Sequence, residues 1–246
     1  MKWAAGGLLS LMAAACFAAP PDRCREPAYD RTVGDGSPAA MQQAIKDAPP
    51  MARALGKGRR EHLVRMLASG ADPNVCVGEV SVLGLSAASG DLEEVRMLLD
   101  GGALPDHPLD SGGGTPLLAA LQAGHCDVAA LLLDRGANPL HTTDGGTSAL
   151  HELAMAPAAV DEPGQRQQQA CAERLLRQGL AVDVRNRRGA TPLMLATARR
   201  NRGMAEFLLA HGAHPDARDS RGNSALAMAR NHADAEWLTL FERAMH

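Results

Sequence analysis

Residues 115–139 read TPLLAALQAGHCDVAALLLDRGANP, with His125, Cys126 and Asp127 side by side. A histidine, a thiol and a carboxylate in a row resemble a reactive site, yet the stretch is one copy of a pattern that returns along the chain. A hydroxyl residue ahead of a short apolar run stands at Ser81, Thr115, Ser148, Thr191 and Ser224, in steps of 34, 33, 43 and 33. A glycine in the turn after an apolar pair falls at Gly70, Gly102, Gly136, Gly179 and Gly212, in steps of 32, 34, 43 and 33. Two markers with one period and one shared interruption define an internal repeat, and a repeat governs every later inference about fold.

Each unit has a physical reading. Thr115 before Pro116, and Thr191 before Pro192, place a hydroxyl N-cap ahead of a proline at the first helical position, where the missing N–H would be unpaired in any case. Gly90 and Gly124 then stop a short helix, and a second begins with apolar residues such as Val128, Leu131 and Leu132 at helical spacing. Gly136, Gly179 and Gly212 end it, because glycine takes the left-handed conformation of a helix C-terminus without steric cost. The unit is helix, turn, helix, loop. One such pair cannot bury its apolar face alone, so neighbours must stack into a continuous core.

These units resemble ankyrin repeats. The match lies in GGTPLL…GHCDVAALLLDRGANP, GTSALH, GATPLMLA…FLLAHGAHPD and GNSALAMA. Five units match on several markers, and counting back 21 residues from Gly70 places a degenerate first unit at Pro49. The expected fold is an all-α ankyrin-repeat solenoid of about six helix-turn-helix units over residues 49–246, its terminal repeats atypical because they cap the stack. The resemblance implies that loop tips and first helices form a concave, protein-binding surface, and it implies no general chemistry. It also places His125 in the inter-helix turn, with Cys126 and Asp127 opening the second helix. The other repeats supply no partner base or nucleophile, so the expectation is a non-enzymatic chain without catalytic residues or cofactor.

The ends and the composition bear on location. MKWAAGGLLSLMAAACFAA has one lysine, an apolar run from Ala4 to Ala15 and small residues beyond it, the three parts of a secretory signal peptide at residues 1–18. That run is too short to span a bilayer, and no later segment is long and apolar enough either. A lipoprotein anchored through Cys16 is the alternative, although MAAAC lacks the usual leucine. Residues 19–48 read as a leader with a short helix near Pro38–Asp47. An ankyrin-like chain with such a signal resembles exported bacterial proteins, which implies a periplasmic or secreted location.

Export would make disulfides persist. Cys24 lies in the leader and Cys76 follows GADPN, so these two are the expected bridge. Cys126 and Cys171 stand on second helices of consecutive repeats but two residues out of register, and helices pack about 8–10 Å apart whereas bridged Cα atoms lie within about 7 Å, which argues against their pairing. No Cys-x-x-Cys spacing supports zinc. HELAM at His151 ends in Met155 where a zinc-protease helix needs a second histidine, GLSAA at Gly84 lacks the last glycine of a nucleophile elbow, and Gly56–Lys57 is followed by glycine rather than Ser or Thr. His151 is expected to be the family's hydrogen-bonding histidine, and His211 and His214 lie in an exposed turn. Aromatic residues are 2% of the chain, too few for the stacking platforms that bind single-stranded nucleic acid.

Two features remain. The 43-residue step marks ten additional residues in the fourth unit, near Ala156–Gln169, expected as an exposed loop or a lengthened helix end between the unit's two helices. Charge is uneven: residues 75–165 hold 13 acidic residues against Arg96 and Arg135, whereas residues 174–230 hold 11 arginines against 4 acidic residues. In a quasi-one-dimensional fold these blocks become separate surface regions that can steer an encounter. The protein-binding candidates are therefore Asp110, Asp144, Arg187, Arg188, Arg199, Arg200, Arg202 and Arg221. The expected partner is a protein, bound either as a general adaptor would bind it or as one cognate envelope enzyme or toxin. Head-to-tail self-association is the rival use of the same charges.

Overall fold

The computed structural model describes residues 50–56, 58–77, 80–107, 112–231 and 235–244. The expected signal peptide and leader, Cys16, Cys24 and Asp110 lie outside the described residues.

Among the described residues the chain forms α1 (Pro50–Arg53), α2 (Arg60–Ala68), β1 (Cys76–Val77), β2 (Val80–Ser81), α3 (Val82–Ser89), α4 (Leu92–Asp100), α5 (Pro116–Ala123), α6 (Cys126–Asp134), α7 (Ala149–Met155), α8 (Glu162–Arg177), α9 (Pro192–Ala198), α10 (Arg202–Ala210), α11 (Ala225–Asn231) and α12 (Ala235–Ala244). The two strands are a short antiparallel hairpin pairing Cys76 with Ser81. The helices stack in two layers. One layer runs α3, α5, α7, α9, α11, each packed on the next, and the other runs α2, α4, α6, α8, α10, α12. This is an all-α repeat solenoid.

The caps follow the sequence. Ser81, Thr115, Thr191 and Ser224 accept with their hydroxyl oxygens from the backbone N–H groups of Gly84, Leu118, Met194 and Ala227 at 3.1–3.4 Å. Each thereby satisfies a donor that the first helical turn leaves unpaired. Gly90 and Gly124 close α3 and α5 in the left-handed region, at φ 75° and 83°. Gly90 has a second constraint, since a Cβ there would sit 2.5 Å from Cε1 of His125. The histidine ring of one repeat thus lies on the glycine turn of the repeat before it, which is the structural role of the HCD triplet's first member.

One hydrophobic cluster runs from Met51 to Phe241. Leu117, Leu121, Leu132, Leu150, Leu153, Leu175 and Leu193 are fully buried along it, and Trp237 and Phe241 close its C-terminal end. Neighbouring repeats share this core, so none of them is a separate folding unit.

The additional residues of the fourth unit form the lengthened helix. α8 has 16 residues where α4, α6 and α10 have 9. Asp161 caps it by accepting from Gly164 N at 3.0 Å, with a proline in the first turn. The segment is not wholly exposed: Gln168 is buried and donates from Nε2 to the Pro157 carbonyl at 2.7 Å.

Candidate protein-binding surface

The loops joining each outer helix to the next inner helix end in tight tips. Thr143 N donates to Thr147 O at 3.0 Å, Asn186 N to Ala190 O at 3.1 Å and Asp219 N to Asn223 O at 2.9 Å. Side chains hold the tips from within. Asn186 Oδ1 accepts from Arg188 N and Ala190 N, and Asp219 Oδ1 accepts from Arg221 N and Asn223 N, at 2.8–3.1 Å. The hydrogen bonds from Asn223, followed by those from the tip backbone, hold the Asp219 carboxyl below the usual carboxylate range.

Successive tips are tied to one another by backbone. Asp144 N donates to Gly112 O at 2.8 Å, Arg187 N to Gly145 O at 2.9 Å and Ser220 N to Arg188 O at 2.9 Å. Close approach requires glycine. A Cβ at Gly146 would stand 3.0 Å from Arg187 N, and one at Gly189 would stand 3.2 Å from Ser220 N, both at φ 72°. The tips therefore form a braced ridge, not a set of independent loops.

On that ridge Asp144, Arg187, Arg188 and Arg221 are exposed. Neighbouring arginines are committed to the scaffold: Arg185 donates from Nη1 to Gly189 O at 3.1 Å and Arg218 O at 2.7 Å, and Arg218 donates to Gly222 O at 2.9 Å. Arg187, Arg188 and Arg221 form no ion pair among the described residues. Three guanidinium groups are thus presented from the tips of the fifth and sixth units.

The other sequence candidates lie elsewhere. Arg199, Arg200 and Arg202 stand at the far end of α9 from Arg187 and Arg188, a separation of about 10 Å along a helix of this length. Arg202 is ion-paired with Glu206 at 2.8 Å. Arg200 occupies the place of Gly90 and Gly124 and has the left-handed φ of 55°. The next residue, Asn201, caps α10 by accepting from Met204 N at 3.1 Å. The repeat pattern puts Arg187 and Arg188 at a loop tip and Arg199, Arg200 and Arg202 at the next inter-helix turn, and in the fold these are two edges of the stack.

The histidines serve the scaffold. His151 Nδ1 accepts from Ser148 N at 3.2 Å, so Nε2 carries the proton and donates to the Ala190 carbonyl at 2.9 Å, tying the fourth unit to the fifth. Burial pushes its pKa down and keeps the ring neutral. His211 stacks on Phe207 and faces the Phe207 carbonyl with Nδ1, whereas His214 pairs with Asp183, which raises its pKa. Among the described residues no group of three or more His, Cys, Asp or Glu side chains could hold a metal ion, and no helix is long and apolar enough to cross a membrane.

Cys126 and Cys171 are not bridged to each other, as their two-residue offset argues. They stand on α6 and α8, which pack on each other. Both cysteines are free thiols, and both line a groove of about 570 Å³.

Two family models match the chain: one described as ankyrin repeats in three copies over residues 51–144, and one described as ankyrin repeats in many copies over residues 175–229. The chain belongs to the ankyrin-repeat family. Most of the unit whose second helix is lengthened lies between the two matches. No curated protein matches the chain. Ankyrin repeats make this a protein–protein interaction module.

Proposed function

We propose that this ankyrin-repeat chain is an exported, non-enzymatic adaptor that binds an acidic surface of a protein partner through the braced tips of its fifth and sixth units. The observation that carries the reading is Arg187, Arg188 and Arg221, exposed on a rigid ridge and without ion pairs among the described residues, while Arg135 and Arg174 are bound to Asp100 and Asp134 at 2.6 Å. A guanidinium held on an ordered loop loses little freedom on binding and meets a carboxylate in a planar, bidentate way. Export rests on the signal-peptide pattern of residues 1–18. In that setting Cys24 and Cys76 form a bridge between leader and first loop. The support is that Cys76 is disulfide-bonded whereas Cys126 and Cys171 are free.

The test begins with recovery of the mature protein from its native envelope and identification of what co-elutes. Reversal of Arg187, Arg188 and Arg221 to glutamate is then expected to slow association with that partner by tenfold or more at low salt and to flatten the salt dependence, with the helical circular dichroism unchanged. An association rate equal to that of the unaltered protein overturns the proposal. A fall in rate only when Arg199 and Arg200 are reversed moves the contact to the opposite edge.

A further inference from the structure

We propose that the groove between the first and second units receives a lysine side chain of a protein partner, with Glu94 and two serine oxygens taking its ammonium group. The groove lies in the units at the other end of the stack from the arginine ridge and acts independently of it. That the lysine belongs to a protein partner rests on the adaptor reading; the affinity for a lysine side chain does not.

The groove, of about 410 Å³, opens between the loop after α1 and the junction of α3 with α4. Its rim is apolar: Leu85 is a large apolar side chain left 36% exposed, and the half-buried Leu55 also lines the space. Ser89 is exposed beside them, whereas Ser86 and Glu94 are buried and form the floor.

The polar side chains here offer acceptors and no free donor. Ser86 commits its hydroxyl proton to the Val82 carbonyl at 3.1 Å and Ser89 commits its own to the Ser86 carbonyl at 2.9 Å, which leaves the lone pairs of both oxygens. The Glu94 carboxylate accepts from Gly56 N with both oxygens, each at 3.3 Å, and forms no ion pair among the described residues. Asp91 lines the groove too, but its oxygens hold Arg60 Nη2 at 2.8 and 2.9 Å, so its charge is matched.

An ammonium has three donors and no acceptor, and it is a compact charge on a flexible apolar stem. The stem fits the leucine rim and the head fits the scattered acceptors below. A guanidinium fits less well, because its planar fork needs the two oxygens of a carboxylate edge-on, and in Glu94 that edge already faces Gly56 N. Folding has also desolvated Glu94 beforehand, since burial raises its pKa against the Gly56 N–H. An incoming ammonium therefore bears only its own desolvation, and its attraction to the carboxylate is strong where little water remains.

The experiment uses the full chain, isotope-labelled, in nuclear magnetic resonance titrations with Nα-acetyl-lysine methylamide and its norleucine and arginine counterparts. Saturable shifts of the Gly56 and Ser89 amide resonances are expected. The lysine probe should bind roughly tenfold more tightly than norleucine, which keeps a stem and lacks the charge, and more tightly than arginine. Bound lysine is also expected to move the Glu94 carboxyl titration to lower pH, because an ammonium favours the carboxylate. Glu94→Gln should weaken the lysine probe by roughly tenfold and leave norleucine unchanged, with circular dichroism checking the fold. The proposal is overturned if no groove resonance responds to lysine, if lysine and norleucine bind alike, if arginine binds more tightly, or if folded Glu94→Gln takes up lysine as the parent does. The three probes on the parent chain decide the matter even if the variant fails to fold, and their outcome is separate from whether the adaptor reading holds.

Discussion

Arg200 shows what one residue reveals when a repeat departs from its own pattern. The turn between inner and outer helices requires the left-handed region, which Gly90 and Gly124 enter freely, but in the fifth unit Arg200 takes it at φ 55°. An L-residue with a long side chain gives up roughly 1–2 kcal/mol in that region. The backbone holds it there because Asn201 caps the next helix and Arg200 N still donates to Thr197 O at 3.0 Å. Arg200→Gly is therefore expected to raise stability by about 1 kcal/mol, part of the relief being offset by the greater freedom of an unfolded glycine. Urea denaturation of the two proteins measures it, and a midpoint that falls excludes backbone strain as the dominant effect. The sequence contains this signal, since residue 200 falls nine positions after Thr191 as Gly124 does after Thr115. The clustering of Arg199, Arg200 and Arg202 invites a reading by charge alone, and charge conceals the backbone requirement.

Among the elements, α8 is the one whose form the sequence leaves open. Loop and helix both satisfy a surplus of ten residues, and Pro157 and Pro163 suggest interruption. Asp161 decides it physically, because an acceptor two residues before Pro163 is the same combination of N-cap and early proline that starts α5 and α9. The placement of Gln168 is the less legible part. A glutamine in a run of glutamines reads as solvated, but this one is buried against the connection from α7 and donates to the Pro157 carbonyl. Gln168→Ala is expected to cost about 1 kcal/mol, because the bond from the buried Gln168 amide to the Pro157 carbonyl and the packing of that side chain are lost. The neighbouring Gln167→Ala, a control, should lie within about 0.5 kcal/mol of the parent. Equal midpoints for the two variants would show that the additional turns only decorate the stack.

Across the whole molecule, the repeat, the two-layer stack and the caps are legible in the sequence because each marker has a local physical cause. The charge asymmetry is legible only in part. Arg135 and Arg174 turn back to Asp100 and Asp134 of the preceding repeats, so some of the apparent dipole is spent within the stack. Such pairing between units of a solenoid depends on register in space, which composition does not give. The pH response is likewise a property of the assembled core. Burial raises the pKa of Glu152, against the hydrogen bond from Gln122 Nε2 at 3.0 Å, and burial raises that of Glu94, against the backbone N–H of Gly56. A carboxyl whose pKa is higher folded than unfolded contributes stability that is complete below the unfolded value of 4.5 and is lost as pH rises through the folded value. His151 works in the other direction: its lowered pKa gives stability that is complete above 6.5 and is lost as pH falls through the folded value. Glu152→Gln keeps an acceptor for Gln122 and removes the charge. Its urea midpoint is expected to pull ahead of the parent's as pH rises above 4.5 towards about 8, while both proteins keep the acid-side decline set by His151. Midpoints measured from pH 4 to pH 8 test this, and two curves that stay parallel across that range would mean that Glu152 is already ionised at no cost in the folded stack.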